Sequence, residues 1–324
     1  MYEQIARNKR RTITLMALFL VIWVGIGAVV GLVWSAASSS RTTYDQFGQP
    51  VTTSSNTAGD VAVGAAIAGV LALAGIAYTL TAGSRTVLAV SGARPAPPDQ
   101  YLELHDIVEA LALGDGIPKP DVYVIDDPSP NAFATGTSPE HAAITATTGL
   151  LGMMNREELE GVIGHEMSHI KNYDVRLLLV VTTLIGMAGL LASLLWRTAF
   201  WAPRRRDRDG DQMMLVVMVA AAVLAVVGFV VGPLIRLALS RRRESLADVS
   251  SVELTRNPAG LLAALRKLEQ NDQPFKGMNH VTAAMCIDDP LQHHESWFHH
   301  LFDTHPPLEQ RIAVLERILR GETV

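Results

Sequence analysis

The chain has 324 residues, of which 49% are hydrophobic, and its mean hydropathy of +0.23 is high for a soluble enzyme and directs attention to long apolar runs. Lys and Arg number 27 against 32 Asp and Glu, a net charge of −5, and the arginines cluster beside apolar segments, so no basic face suited to nucleic acid stands out. The one cysteine, Cys286, excludes an internal disulfide and reads as a small packed side chain in a reducing compartment.

Four apolar runs are long enough to cross about 30 Å of hydrocarbon. They are residues 13–34, 61–82, 177–196 and 213–239, the last interrupted only by Gly232, Pro233 and Arg236. Buried core helices are the alternative, which four such runs in one chain disfavour. Arg7, Lys9, Arg10 and Arg11 precede the first run and Ser35-Ala36-Ala37 follows it, as in a secretion signal. The run is nearly twice the usual apolar length, however, so it is expected to remain as an anchor, with residues 1–12 in the cytoplasm by the positive-inside rule. Residues 35–60, rich in Ser and Thr and holding Arg41 as the sole basic residue, read as a short external loop.

Residues 83–176 and 240–324 together have the size of one domain, and both pieces are expected to form one cytosolic domain. Residues 93–99, with Pro95, Pro97 and Pro98, read as a linker. A helix is predicted over 101–113, ended by Gly114 and Gly116, and strands over 122–125 and 142–148, separated by turn residues that include Pro128, Pro130 and Gly136. Further helices are predicted over 258–270 and 307–319. The loop 197–212 poses a conflict. Arg197, Arg204, Arg205, Arg206 and Arg208 argue for the cytoplasm, whereas a hairpin of the third and fourth runs that begins and ends on one side makes the loop external, its charge partly offset by Asp207, Asp209 and Asp211. The alternative is a hairpin that does not fully cross; crossing is the reading adopted.

The chemistry starts at Gly164-His165-Glu166-Met167-Ser168-His169. Successive helical residues advance by about 100°, so His165 and His169 sit one turn apart on one face, where both imidazoles reach a single Zn²⁺. Glu166 is rotated away from the pair yet close enough to take a proton from water activated by the metal, the arrangement of zinc peptidases. Asn155 followed by Glu158 has the form of a capping box, which starts the helix near Arg156. Gly161 and Gly164 are poor helix formers; they make room either for a metal or partner strand, or simply for close packing. The other reading of the motif is a solvated helix face with two histidines.

A catalytic zinc takes three protein ligands and keeps a position for water. Glu244, in Arg243-Glu244-Ser245-Leu246-Ala247-Asp248 just past the fourth run, is the expected third donor, with Glu253 the next candidate and a surface carboxylate balancing Arg241–Arg243 the plain alternative. Asp248 shares a helix face with Glu244 and is placed to accept the outer N–H of a ligand histidine. His169 lies eight residues before the third run, so at about 1.5 Å per residue both helices are expected to hold their ligands within roughly 12 Å of the same membrane surface.

Nearly the whole chain resembles the HtpX-type membrane zinc peptidases, relatives of the eukaryotic proteases that trim prenylated proteins. The motifs that carry the resemblance are the four apolar runs, His165-Glu166-Met167-Ser168-His169 leading into the third, Asn172 and Asp174 beyond it, and Arg243-Glu244-Ser245-Leu246-Ala247-Asp248 after the fourth. Asn131-Ala132-Phe133-Ala134 and Thr304-His305-Pro306 complete the set. The resemblance implies a mainly α membrane protein, four hydrophobic helices plus a cytosolic gluzincin-like α+β zinc peptidase domain, with one Zn²⁺ on His165, His169 and Glu244. It also implies a multi-pass protein of the cell (inner or plasma) membrane that cleaves damaged or misassembled membrane proteins at the cytoplasmic face, stress-induced expression, and self-cleavage after solubilisation.

Asn131, Ala132, Phe133 and Ala134 read as an exposed strand edge on which a substrate backbone pairs, or else as a turn before a strand. His305 reads as a donor to the oxyanion of the attacked carbonyl, or as a structural histidine before Pro306. In His293, His294, His299 and His300 the spacing fails, since Phe298 stands where a second ligand is needed, and the segment reads as solvated or flexible, with a substrate lid or adventitious metal as the alternative. Among rival functions, a prenyl-protein protease is disfavoured by the modest number of spans. A silent membrane scaffold or chaperone has no use for Glu166, and a metal transporter needs paired ionisable residues that the apolar runs lack.

Overall fold

The computed structural model describes residues 2–38, 42–44, 47, 49–52, 56–201, 218, 241–270 and 308–322. The fourth apolar run, Cys286, the His293–His300 segment and His305 lie outside the described residues, apart from Met218. The chain divides into two compact units: Met1–Ile13, Thr79–Thr183 and Gly232–Val324 in the first, Thr14–Tyr78 and Leu184–Val231 in the second.

The helix α1 (Tyr2–Ser38) begins in the first unit and continues from Thr14 in the second, the helix α2 (Thr57–Val90) lies in the second as far as Tyr78 and ends in the first, both extend beyond the predicted runs, and a two-stranded antiparallel ribbon, β1 (Thr42–Tyr44) with β2 (Pro50–Thr52), stands between them in sequence. These are the two helices among the described residues that are long and apolar enough to cross a membrane, as Ile5–Ala36 and Thr57–Val90. They approach backbone to backbone: a Cβ on Gly27 would lie 2.2 Å from the carbonyl oxygen of Gly64. Close contact between small residues is how apolar helices associate where no hydrophobic force separates them from lipid. Ser35 adds a hydroxyl hydrogen bond to Thr57 at 2.9 Å.

The first unit is built on a four-stranded sheet in the order β3-β4-β6-β5, formed by β3 (Arg94–Pro95), β4 (Asp121–Ile125), β5 (Ala132–Gly136) and β6 (Ala142–Thr147). β4 and β6 are parallel and the outer pairs antiparallel. The sheet obeys the two-residue alternation of strands. Val122, Val124, Ala132, Ala134, Ile144 and Ala146 turn to the main core, while Phe133, Ala143 and Ile125 pack with Val87, Leu88 and Leu179 on the other face. The main core is completed by α3 (Leu102–Asp115), α4 (Thr148–Met153), α5 (Arg156–Lys171), α8 (Pro258–Glu269) and α9 (Leu308–Leu319). Residues such as Ile144, Leu150, Ile163, Leu261 and Leu265 are wholly enclosed, each contributing about 1.5–3 kcal/mol relative to exposure. The helix α7 (Arg241–Thr255) packs on α5.

One expectation fails at the end of α5. The motif helix does not run on into the third apolar run: α5 stops at Lys171, Tyr173 takes a left-handed backbone with φ 61°, and α6 (Asp174–Trp201) starts afresh. A left-handed residue cannot continue a right-handed helix, so the estimate that placed His169 and Glu244 at one membrane depth by counting helical rise does not hold. The helix α6 also continues past residue 196 to Trp201.

Candidate metal centre

The helix α5 begins as its sequence dictates. The Asn155 side chain accepts the Glu158 N–H while the Glu158 carboxylate accepts the Asn155 N–H, a reciprocal cap that fixes the phase of the helix. That phase turns His165, Glu166 and His169 into the protein, where all three are buried. Gly161 and Gly164 serve helix packing, not a metal or a strand. A Cβ on Gly161 would come within 2.7 Å of the Leu261 backbone in α8, and one on Gly164 within 2.8 Å of Ser251 Oγ in α7. Ser251 Oγ donates to the Gly161 carbonyl at 2.7 Å, clamping α7 to α5.

That clamp brings Glu244 to the histidines. Glu244 Oε2 lies 3.4 Å from His165 Nε2 and 3.7 Å from His169 Nε2, and the two Nε2 atoms are 3.2 Å apart. One ligand atom from each of the three residues lies within 4.8 Å of the others, a group able to hold one metal ion. Glu253 sits on the exposed side of α7, away from this group.

The outer nitrogens of both rings are held by carboxylates. His165 Nδ1 is 2.9 Å from Asp248 Oδ1, and His169 Nδ1 is 3.1 Å from Asp174 Oδ2. Each bond fixes a tautomer in which Nε2 keeps its lone pair for a cation. Both carboxylates are anchored in turn. Arg311, from α9, grips Asp248 with Nε at 3.0 Å from Oδ2 and Nη2 at 2.6 Å from Oδ1. Arg243 Nη1 donates to Asp174 Oδ1 at 2.9 Å. Burial pushes the Asp248 carboxyl up, but Arg311 and His165 outweigh it and hold its pKa down at about 2. Burial works against charge on Arg311 as well, yet Asp248, Glu244 and Glu166 keep the guanidinium firmly protonated.

Among the described residues, four acidic side chains, Glu166, Glu244, Asp248 and Asp174, are thus buried here with two guanidiniums, Arg243 and Arg311, so acidic groups outnumber the arginines. Buried charge of one sign is costly unless matched. The same imbalance acts on His169: burial opposes its protonation, but Glu244 and Asp174 prevail and raise its pKa well above the usual imidazole range. A divalent cation removes the imbalance, and two imidazole nitrogens with one carboxylate oxygen are the donors of a catalytic zinc site. The residues fit the metal.

Peptidase family M48 matches the chain over residues 98–319. The chain belongs to this family. It is also similar over its whole length to curated proteases: 41% identical over 320 residues to a protease HtpX homolog of Ligilactobacillus salivarius, and 40% identical over 323 residues to those of Lactobacillus helveticus and Streptococcus mutans, each match covering 98% of this chain and all of the relative. The protein is a membrane zinc metalloprotease of the HtpX type, a peptide-bond hydrolase that acts on proteins.

Arg311, Arg243 and Asp174 are functional residues to which no sequence motif assigned a role. Arg311 had a signal: it stands on the apolar stripe Leu308, Ile312, Leu315 of α9, where an arginine has no reason to be without a buried partner. The segment Asn131–Ala134 is an edge strand in order, since β5 pairs only with β6 among the described strands. It is not exposed: Ala132, Phe133 and Ala134 are all buried. The Thr147 N–H bonds the Asn131 carbonyl, so by alternation Ala132 and Ala134 turn their main-chain groups away from β6, where the Asn131 side chain accepts the Ala132 N–H at 2.9 Å.

Proposed function

We propose that this zinc peptidase is a multi-pass endopeptidase of the cell (inner or plasma) membrane that cleaves misfolded or damaged membrane proteins, with residues 83–176 and 240–324 forming one catalytic domain in the cytoplasm. His165, His169 and Glu244 hold the zinc. When bound, zinc polarises the scissile carbonyl and brings the pKa of water to about 7. Glu166, about 100° round the helix from His165, takes a proton from the attacking water and returns it to the leaving amine. Asp248 keeps His165 in its ligating tautomer and Asp174 does the same for His169. The substrate backbone pairs along Ala132–Ala134, presented by Asn131 and Phe133, so recognition reads main chain more than side chains and specificity is broad; because this edge is buried, pairing requires it to be uncovered first. His305, in Thr304-His305-Pro306, stabilises the oxyanion.

The observation that supports this reading most is the convergence of two imidazoles and a carboxylate from two distant helices, with a second carboxylate behind each ring. The test is cleavage of a casein-type substrate by the purified full chain, with and without chelator, beside Glu166→Gln. The wild type is expected to lose activity to the chelator and regain it with zinc, and Glu166→Gln to keep one zinc per chain without cleaving. Proteolysis by pure Glu166→Gln removes Glu166 as the base, and cleavage confined to prenylated peptides favours a processing protease instead.

A further inference from the structure

The metal centre is anchored from the start of the chain. Asn8, four residues before Thr12 in the basic first turns of α1, is buried. Its amide Nδ2 donates to the Asn172 carbonyl at 2.9 Å and to Asp174 Oδ1 at 2.7 Å, 164 and 166 residues away in sequence. Both partners are pure acceptors, so chemistry alone fixes which end of the amide faces them. The Asn172 carbonyl belongs to the C-terminus of α5, where helix carbonyls lack partners within the helix. The same joint carries the left-handed Tyr173, over whose ring the Lys9 ammonium sits at 4.2 Å from the centroid. Asp174 in turn bonds His169 through its other oxygen.

We infer that Asn8 is a positioning residue of the zinc site, acting through Asp174 on His169. Resting on the assignment of His169 as a ligand, the inference extends the site to α1. The amide and Arg243 share Asp174 Oδ1, which leaves Oδ2 aimed at the His169 ring. Without the amide, Oδ1 of the carboxylate loses one of its two donors and the α5–α6 joint loses its tie, so the ring is free to turn its lone pair off the metal. Partners behind a ligand typically set metal affinity by 10–100-fold; Asn8 stands one step further back, and about tenfold is expected.

The experiment measures zinc affinity of the purified full chain by competition with a chromophoric chelator, and the ligand-field bands of the cobalt-substituted protein. Asn8→Ala should weaken zinc about tenfold and shift the cobalt bands, and Asn8→Asp, which keeps the shape but sets a carboxylate against Asp174, should weaken it more. Arg7→Ala, an exposed neighbour, should do neither. In the Asp174→Ala background, Asn8→Ala should add less than about twofold. Unchanged affinity in both Asn8 variants, or full effects that multiply in the double variant, overturns the inference; should Asn8→Ala fail to fold, the isosteric Asn8→Asp with its cobalt spectrum decides alone. A wild-type chain that binds no zinc at these residues instead sinks the assignment of the site, and the role of Asn8 with it.

Discussion

The α1–α2 pair and the metal helix α5 invert each other's surfaces. Along the pair, large apolar side chains such as Val21, Ile67 and Val70 are more than half exposed, and the contact between the helices is made by glycine backbones. In α5 the charged and polar residues Glu158, His165, Glu166 and His169 are buried. Each arrangement is stable only in its own surroundings: exposed apolar surface belongs in lipid, where it has no cost, whereas buried charge needs a partner for every group. The comparison predicts that single changes in the centre cost far more than changes at exposed positions.

Arg311→Met should show the largest effect on stability. It leaves Asp248 buried without its bidentate partner, and breaking such a pair costs about 3–5 kcal/mol; chemical denaturation of the metal-free chain should show the loss. Zinc affinity should fall as well, because Asp248 then no longer holds His165 in place. Gly161→Ala comes next, at about 1–3 kcal/mol, since its methyl group forces α5 and α8 apart by way of the Leu261 backbone. Smallest is Arg156→Ala, which removes an exposed pair with Glu160 one turn away and should cost no more than about 0.5 kcal/mol. An Arg156 effect as large as that of Arg311 would erase the distinction between the regions.

Much of the centre was legible in the sequence because its signals are local. The capping box and the His165/His169 spacing lie within sixteen residues of one helix, and Glu244 and Asp248 share one turn of another. The third apolar run falls inside α6, but the start of that helix was not legible, because one left-handed residue, Tyr173, breaks a pattern that composition alone carries across. What was hidden is what depends on chain return. Asn8, Arg243 and Arg311 reach the centre from elements far apart in sequence, and nothing next to Asn8 in a run of basic residues marks it as a buried donor. The glycines were ambiguous for the same reason: whether Gly161 faces a metal, a strand or a helix is decided by α8, about a hundred residues later.

The most direct test is the metal content and X-ray absorption fine structure of the purified full chain, wild type and Glu244→Ala. One zinc per chain is expected, bound by two imidazole nitrogens and a carboxylate oxygen, and lost or strongly weakened together with proteolysis when Glu244 is replaced. Proteolysis by a chain free of zinc, or zinc retained at full strength and with the same ligands after Glu244→Ala, would contradict it.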